Sequence, residues 1–392
     1  MAALFEDGKK GFSARMQSFP AVDPIPLPAP IWLFKLLHIV TLALHFVAVE
    51  MLLGGLLLAV LLSLSRKALS QVAARALARR LTVVMTYVIN LGVPPLLFAQ
   101  VLYGRALYTS SVLIGAYWIS IVVILMLVYR MLYRFSSQLE VGRTAWPAGL
   151  AAWLLAGFVA RLLSTNMTLM LRPEAWREMY SASASGRFLP TGDPTLTPRW
   201  LLMLAGGLFI GGLWMVYLSG RSTFTIEEKK YLAGLGGKVA ALCGVVYLLA
   251  GLWANAVQPA SVKVLLAAPP AGYGFYRYYA LGGYLWLLLV VVAVLLAAFA
   301  GFAKIAANWL AWAGVLVALL VEIAFTVYRD AVRDLTLFSK GYNVWDRAVV
   351  TNWSVVGLFL ILFVASLGVI GWLVSVVARA KKPMEGAASP AA

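Results

Sequence analysis

The sequence predicts an all-α, polytopic transmembrane helix bundle of about nine spans, with the N-terminus outside and the C-terminus inside. Three observations carry this expectation. Hydrophobic residues make up 62% of the 392-residue chain, against about 45–50% in soluble domains. The mean hydropathy is +0.88. The apolar residues fall in separate runs long enough to cross a bilayer, and the basic residues collect in the links between them. The net charge of +17 is therefore a topology signal and not a nucleic-acid surface. The single cysteine, Cys243, excludes an intramolecular disulfide, a cysteine-rich metal site and c-type heme attachment. The N-terminal stretch lacks an apolar segment followed by a cleavage site, so the first span is expected to act as the insertion signal.

Residues 1–30 are polar, then proline-rich, and read as an extended arm. The bundle is expected over 31–378 and a disordered tail over 379–392. Span one, 31–64, is the longest apolar run. A link at 65–80 carries Arg66, Lys67, Arg75, Arg79 and Arg80. Span two, 81–103, contains Pro94 and Pro95, which predict a kink. Spans three and four follow at 111–133 and 146–165, with Arg161 near the end of the latter. A polar link at 166–198 is long enough to suggest a functional loop. Spans five and six, 199–219 and 238–257, lead through a link at 258–277 to span seven, 278–302. Lys304 marks a tight turn into span eight, 305–328; a charged, aromatic link at 329–352 precedes span nine, 353–378. Spans one to four are expected to form a four-helix core. The links after spans one, three and five, with the tail, hold most of the Lys and Arg, which places the N-terminus outside.

Span one also holds both histidines, His38 and His45, seven residues apart. Seven residues are nearly two full helical turns, so both imidazoles leave one helix face, about 10.5 Å apart along the axis. Neutral imidazole is a common heme and metal ligand. One straight helix does not offer both rings to opposite faces of one iron, and the chain has no third histidine. A five-coordinate heme or a His/Met heme stays open, as does a plain structural role for both rings. Glu50 and Glu322 lie inside apolar runs, where ionisable groups are functional candidates by default. They suit a proton route or a quinone contact, or else structural pairing. Arg329 and Arg333 alternate with Asp330 and Asp334. That spacing suits a solvated, charge-laced helix end, the simpler reading, or a pair of arginines for heme propionates.

Several short patterns, in a common order, then point to a family. His45-Phe46, Val49 and Gly54-Gly55 resemble the first helix of subunit I of the cytochrome bd quinol oxidases, where a His-Phe pair binds the high-spin heme b. Ile89-Asn90, Gly92-Val93 and Gln100 through Tyr103-Gly104 resemble that family's next helix. Ser164, Asn166, Met170 and Pro173 resemble its SxNxWMxxP segment, and Arg199, Gly207 and Gly211 the start of its fifth helix. The resemblance covers about residues 35–220. The chain also departs from the pattern. Gln100 stands where the family has a heme glutamate, Leu202 where it has the low-spin heme histidine, and the link 258–277 replaces its long quinol loop. The methionine ligand segment has no counterpart.

The resemblance implies a divergent, bd-like membrane subunit of a bacterial inner membrane. It implies one heme b with His45 on the iron and His38 beside it, and no oxygen reduction. Quinol would be the electron donor, with c-type cytochromes or other respiratory subunits as partners, within a quinol-linked oxidoreductase complex. Gln100 and Asn166 join Glu50 and Glu322 as proton or quinone candidates. The alternatives are a cofactor-free anchor of a respiratory complex and a transporter; the lack of a visible inverted repeat counts against the latter.

Overall fold

The computed structural model describes residues 25–190, 192–269 and 275–380. The arm expected over 1–30 and the tail expected over 379–392 lie largely outside the described residues. Those residues form a bundle of α-helices without a strand; the one β contact is an isolated bridge from Leu27 to Val349. The helices are α1 (Ile31–Ser63), α2 (Ala68–Leu113), α3 (Gly115–Glu140), α4 (Trp146–Leu169), α5 (Pro173–Ala182), α6 (Leu196–Ser219), α7 (Ile226–Ala256), α8 (Ala260–Ala267), α9 (Tyr276–Ala303), α10 (Asn308–Phe338) and α11 (Trp353–Ala380). Eight of them are long and apolar enough to cross a membrane, and α11 adds a shorter apolar stretch over Trp353–Val369. Successive long helices alternate in direction. We call the end where α1 begins the entry face, and the end where α1 hands over to α2 the turn face.

The helix limits depart from the sequence reading where charge was taken as a sign of a link. The expected link 65–80 shrinks to four residues, because α2 begins at Ala68 and runs for 46 residues. Its first turns, ALSQVAARALARR, are rich in strong helix formers. The Gln71 side chain also donates to the carbonyls of Ser63 (3.0 Å) and Ser65 (2.6 Å), which caps the end of α1. The expected link 329–352 is helical up to Phe338. The long links at 166–198 and 258–277 contain the short helices α5 and α8. Non-helical dihedrals inside α2 occur at Tyr103 (φ −128°, ψ 25°), nine residues beyond Pro94. Tyr103 is held there by the side-chain bonds described below.

The first four long helices share one apolar cluster, and α6 and α7 complete it: Leu56, Leu77, Phe135, Ala152, Met215 and Leu232 all lie inside it. A second cluster joins α6 and α7 to α9 and α10 through Phe209, Tyr247, Val290 and Val321. Helix α1 runs at the centre, against α2, α6 and α10. Its contact with α6 is backbone on backbone: a Cβ on Gly54 would collide with the carbonyl of Gly207. Close approach through small residues is how helices associate in lipid, which offers no hydrophobic drive between them. Many apolar side chains of α3, α9 and α11 face outward, such as Ile119, Val122, Leu288, Leu295, Ile361 and Val364, as lipid contact requires.

Candidate functional site

A file of polar groups runs down the seam between α1 and α10. The helices are antiparallel, so positions early in α1 meet positions late in α10. Lys35 meets Asp330 and Asp334, Phe46 meets Phe325 and Arg329, and Glu50 meets Glu322. From Lys35 to Glu50 the file spans about 22 Å at 1.5 Å per residue.

At the entry face the file is a charge network. Lys35 Nζ donates to Asp330 Oδ2 (2.9 Å), Asp334 Oδ2 (2.5 Å) and Tyr103 Oη (2.5 Å). Tyr103 in turn donates to Asp334 Oδ1 (2.6 Å), and Tyr276 donates to Asp334 Oδ2 (3.2 Å). Arg333 bonds Asp330 and lies over the Tyr103 ring, 4.5 Å from its centroid. Lys35, Asp330, Arg333 and Asp334 are all buried. Desolvating so many charges is costly, and only mutual pairing keeps the cost tolerable. The pairing draws on α1, α2, α9 and α10 at once, so it fixes their relative positions. The arginines at 329 and 333 thus do not form the solvated helix end that their spacing favoured. Arg333 is committed to Asp330. Arg329 lies over Phe46, 5.5 Å from the ring centroid, near the guanidinium of Arg199. It has no hydrogen bond or ion pair among the described residues.

Both histidines lie along this file. His38 is buried beside Lys35, Arg329, Asp330 and Arg333. Its Nδ1 is 3.0 Å from the Pro95 carbonyl. A carbonyl only accepts, so Nδ1 carries the proton and Nε2 holds the lone pair. That Nε2 is buried and without a partner among the described residues. His45 sits deeper, against α2. Its ring fills the space left by Gly92, where a Cβ would stand 2.8 Å from His45 Cε1. Its Nδ1 is likewise buried and unpartnered. Ligating imidazoles are commonly held in the His38 manner, one nitrogen on a carbonyl and the other left for the metal. Two orphaned imidazole nitrogens on one helix, with Arg329 and Arg333 beside His38, fit the donor set of a single heme: one axial imidazole and cationic partners for propionates.

At the deep end of the file, Glu50 and Glu322 meet. Their carboxyls lie within hydrogen-bonding range of each other. A bond between two carboxyls needs a proton on one of them, because ionised carboxylates only accept. Tyr247 donates to Glu322 Oε1 (3.1 Å), and Trp286 Nε1 points to Tyr247 Oη (3.4 Å). One oxygen of each glutamate is without a partner among the described residues. Gly206 of α6 makes room for the Glu50 carboxyl.

The remaining sequence candidates lie apart from the file. Asn166 is buried between α4 and α2 and donates to Ser111 Oγ (3.2 Å). Gln100 is half-buried on α2, three residues before Tyr103. Leu202 is a core residue of the α6–α10 cluster. Sequence reasoning passed over Lys35, Tyr247 and Trp286, and took Tyr103 only as part of a family-like pattern. A lysine four residues into an apolar run was a usable signal. Tyr247 and Trp286 carried none, since aromatic residues are common in apolar spans.

No family model matches the chain, and no curated protein matches it in sequence. Its structure is similar to a chain of the bd oxidase from Geobacillus thermodenitrificans, with a TM-score of 0.62 over 91% of this chain and 99% of that one. The chain has the bd oxidase fold. Sequence identity across the match is 13%, so it is the fold that the two share, as expected of a very distant relative.

Proposed function

We propose that this chain is a membrane electron-transfer subunit of a respiratory complex in the bacterial inner membrane. It passes electrons between quinol and a redox partner, a c-type cytochrome or another respiratory subunit, at the entry face, and it does not reduce oxygen itself. The positive-inside bias of the sequence makes the entry face the outer one. The observation that carries this reading is the pair of buried imidazole nitrogens on α1 without partners among the described residues, in a chain with the bd oxidase fold. His45 would hold the iron of one heme b, and Arg329 with Arg199 would face its propionates, since Arg333 is taken by Asp330. Such a group supplies a one-electron carrier. His38 keeps its Nδ1 proton on the Pro95 carbonyl, and its Nε2 is free to accept from a quinol hydroxyl. Glu50 and Glu322, with Tyr247, offer a place to hold a proton at mid-membrane.

The test is reduction of the purified protein by a quinol analogue, followed in the Soret region. Wild type is expected to be reduced. His45→Ala is expected to lose the band, while His38→Ala keeps it with slower reduction or a shifted potential. Loss of the band in His38→Ala alone would exchange the roles of the two histidines.

A cofactor-free membrane anchor is the second reading, and one observation favours it. Lys35, Asp330, Asp334 and Tyr103 already tie α1, α2 and α10 together without any added group. On this reading the chain co-purifies with heme- or iron–sulfur-bearing subunits and shows no redox signal alone.

A further inference from the structure

At the turn face, far from the histidines, a cavity of ≈ 360 Å³ opens between the first turns of α2 and the turn from α6 to α7. This lies within the range of about 300–1,000 Å³ usual for small-ligand sites. Its walls are Val72, Arg75, Ala76, Arg79, Arg80 and the pair Thr223-Phe224. Among the described residues, three of its seven lining residues are arginines and none is acidic. Arg79 is the only one of the three with an ion pair among the described residues, to Glu140 at 2.9 Å. Arg80 donates to the carbonyl of Ala76 (2.5 Å), a bond that leaves its charge uncompensated. Arg75 has no hydrogen bond or ion pair among the described residues. The guanidinium of Arg221 adds a further like charge beside Arg80.

Like charges held together in a half-buried recess repel one another, so the arrangement gains from an anion placed among them. The recess is also built rather than incidental. Ser70 and Tyr231 share a hydrogen bond of 2.8 Å that pins α2 to α7 beside it. Guanidinium forks match phosphate oxygens in geometry as well as in charge. Thr223 and Phe224 add a hydroxyl and an apolar wall. The recess lies at the end of membrane-spanning helices, where lipid headgroups are found.

We infer that this recess is a binding site for a phosphate-bearing anion, either the headgroup of an anionic phospholipid or a free phosphate. Arg75 and Arg80 supply the charge that recognises it, and Arg79 closes the side toward α3.

The experiment uses the full chain, delipidated in neutral detergent. Binding is followed by native mass spectrometry and by thermal shift with phosphatidylglycerol, phosphatidylcholine and inorganic phosphate as probes. Arg75→Gln and Arg80→Gln are compared with Lys263→Gln, which removes an exposed charge on α8 near the entry face. Arg75 makes no internal bond to lose, so that variant is expected to melt at the wild-type temperature without ligand. Phosphatidylglycerol is expected to bind wild type and Lys263→Gln alike, and either arginine variant at least about tenfold more weakly, the loss of one charge-assisted bond. Phosphatidylcholine is expected to bind weakly throughout. Equal stabilisation by phosphate alone, lost in the same variants, identifies free phosphate as the occupant. Phosphatidylglycerol and phosphate both failing to bind, or binding that Arg75→Gln and Arg80→Gln leave unchanged, overturns the site.

Discussion

The seam between α1 and α10 solves the problem of buried charge in two different ways. Near the entry face, Lys35 and Arg333 balance Asp330 and Asp334, and Tyr103 and Tyr276 complete the bonding. At mid-membrane, Glu50 and Glu322 meet with no cation in their ion-pair range among the described residues, and a tyrosine assists. The first cluster is held by charge and the second by a proton. A charge-held cluster is rigid and intolerant of neutral replacements. A proton-held pair tolerates them, and it changes state whenever that proton leaves.

Substitutions can break this contrast. Lys35→Met is expected to have the largest effect, because it removes the cation bonded to Asp334 and leaves Asp330 with Arg333 alone. A loss of about 3–5 kcal/mol is expected, as for other broken buried pairs. It would appear as a large drop in melting temperature in detergent. Gly54→Ala comes next. Its Cβ would strike the Gly207 carbonyl and force α1 and α6 apart. Overpacking of this kind costs about 1–3 kcal/mol, measurable in the same melts, and Gly104→Ala, whose Cβ would meet only Tyr108 at 4.0 Å, serves as the control.

The neutral replacements sharpen the contrast further. Asp330→Asn leaves Lys35 and Arg333 with a single carboxylate between them, and a loss of about 1.5–3 kcal/mol is expected. Glu322→Gln keeps the size and an acceptor oxygen, and a change within about 1 kcal/mol is expected. If Asp330→Asn and Glu322→Gln prove equally costly, the two clusters are held by the same means and the distinction fails. Carbodiimide labelling gives an independent check, because the reagent modifies protonated carboxyls in apolar surroundings. Label is expected on Glu50 or Glu322 and not on Asp330 or Asp334 when the peptides are mapped by mass spectrometry.

Much of this architecture was legible in the sequence, for physical reasons. A membrane span must satisfy its own backbone and cover itself with apolar side chains, so helix number and order follow from hydropathy. The weak patterns around His45, Asn166 and Arg199 pointed to the fold that the structure has. Charge misled at the helix ends. The arginine-rich start of α2 and the Arg/Asp alternation at the end of α10 read as links or solvated faces. Both are helical, because alanine-rich turns favour helix in the one case and partners from α1 and α2 neutralise the charges in the other. Those partners are distant in sequence. Lys35 lies 295 residues from Asp330, and no local pattern reports such a pairing. The kink in α2 was likewise expected at its prolines, yet the irregular backbone is at Tyr103, where a tertiary bond holds the side chain.

The central claim is that α1 carries a heme iron ligand, and a pyridine hemochrome assay on the purified protein tests it most directly. The account predicts a b-type hemochrome at about one heme per chain, absent from His45→Ala when that variant elutes and melts as wild type does. A colourless wild-type protein with no hemochrome, purified under heme-replete expression, would contradict it and leave the cofactor-free anchor standing.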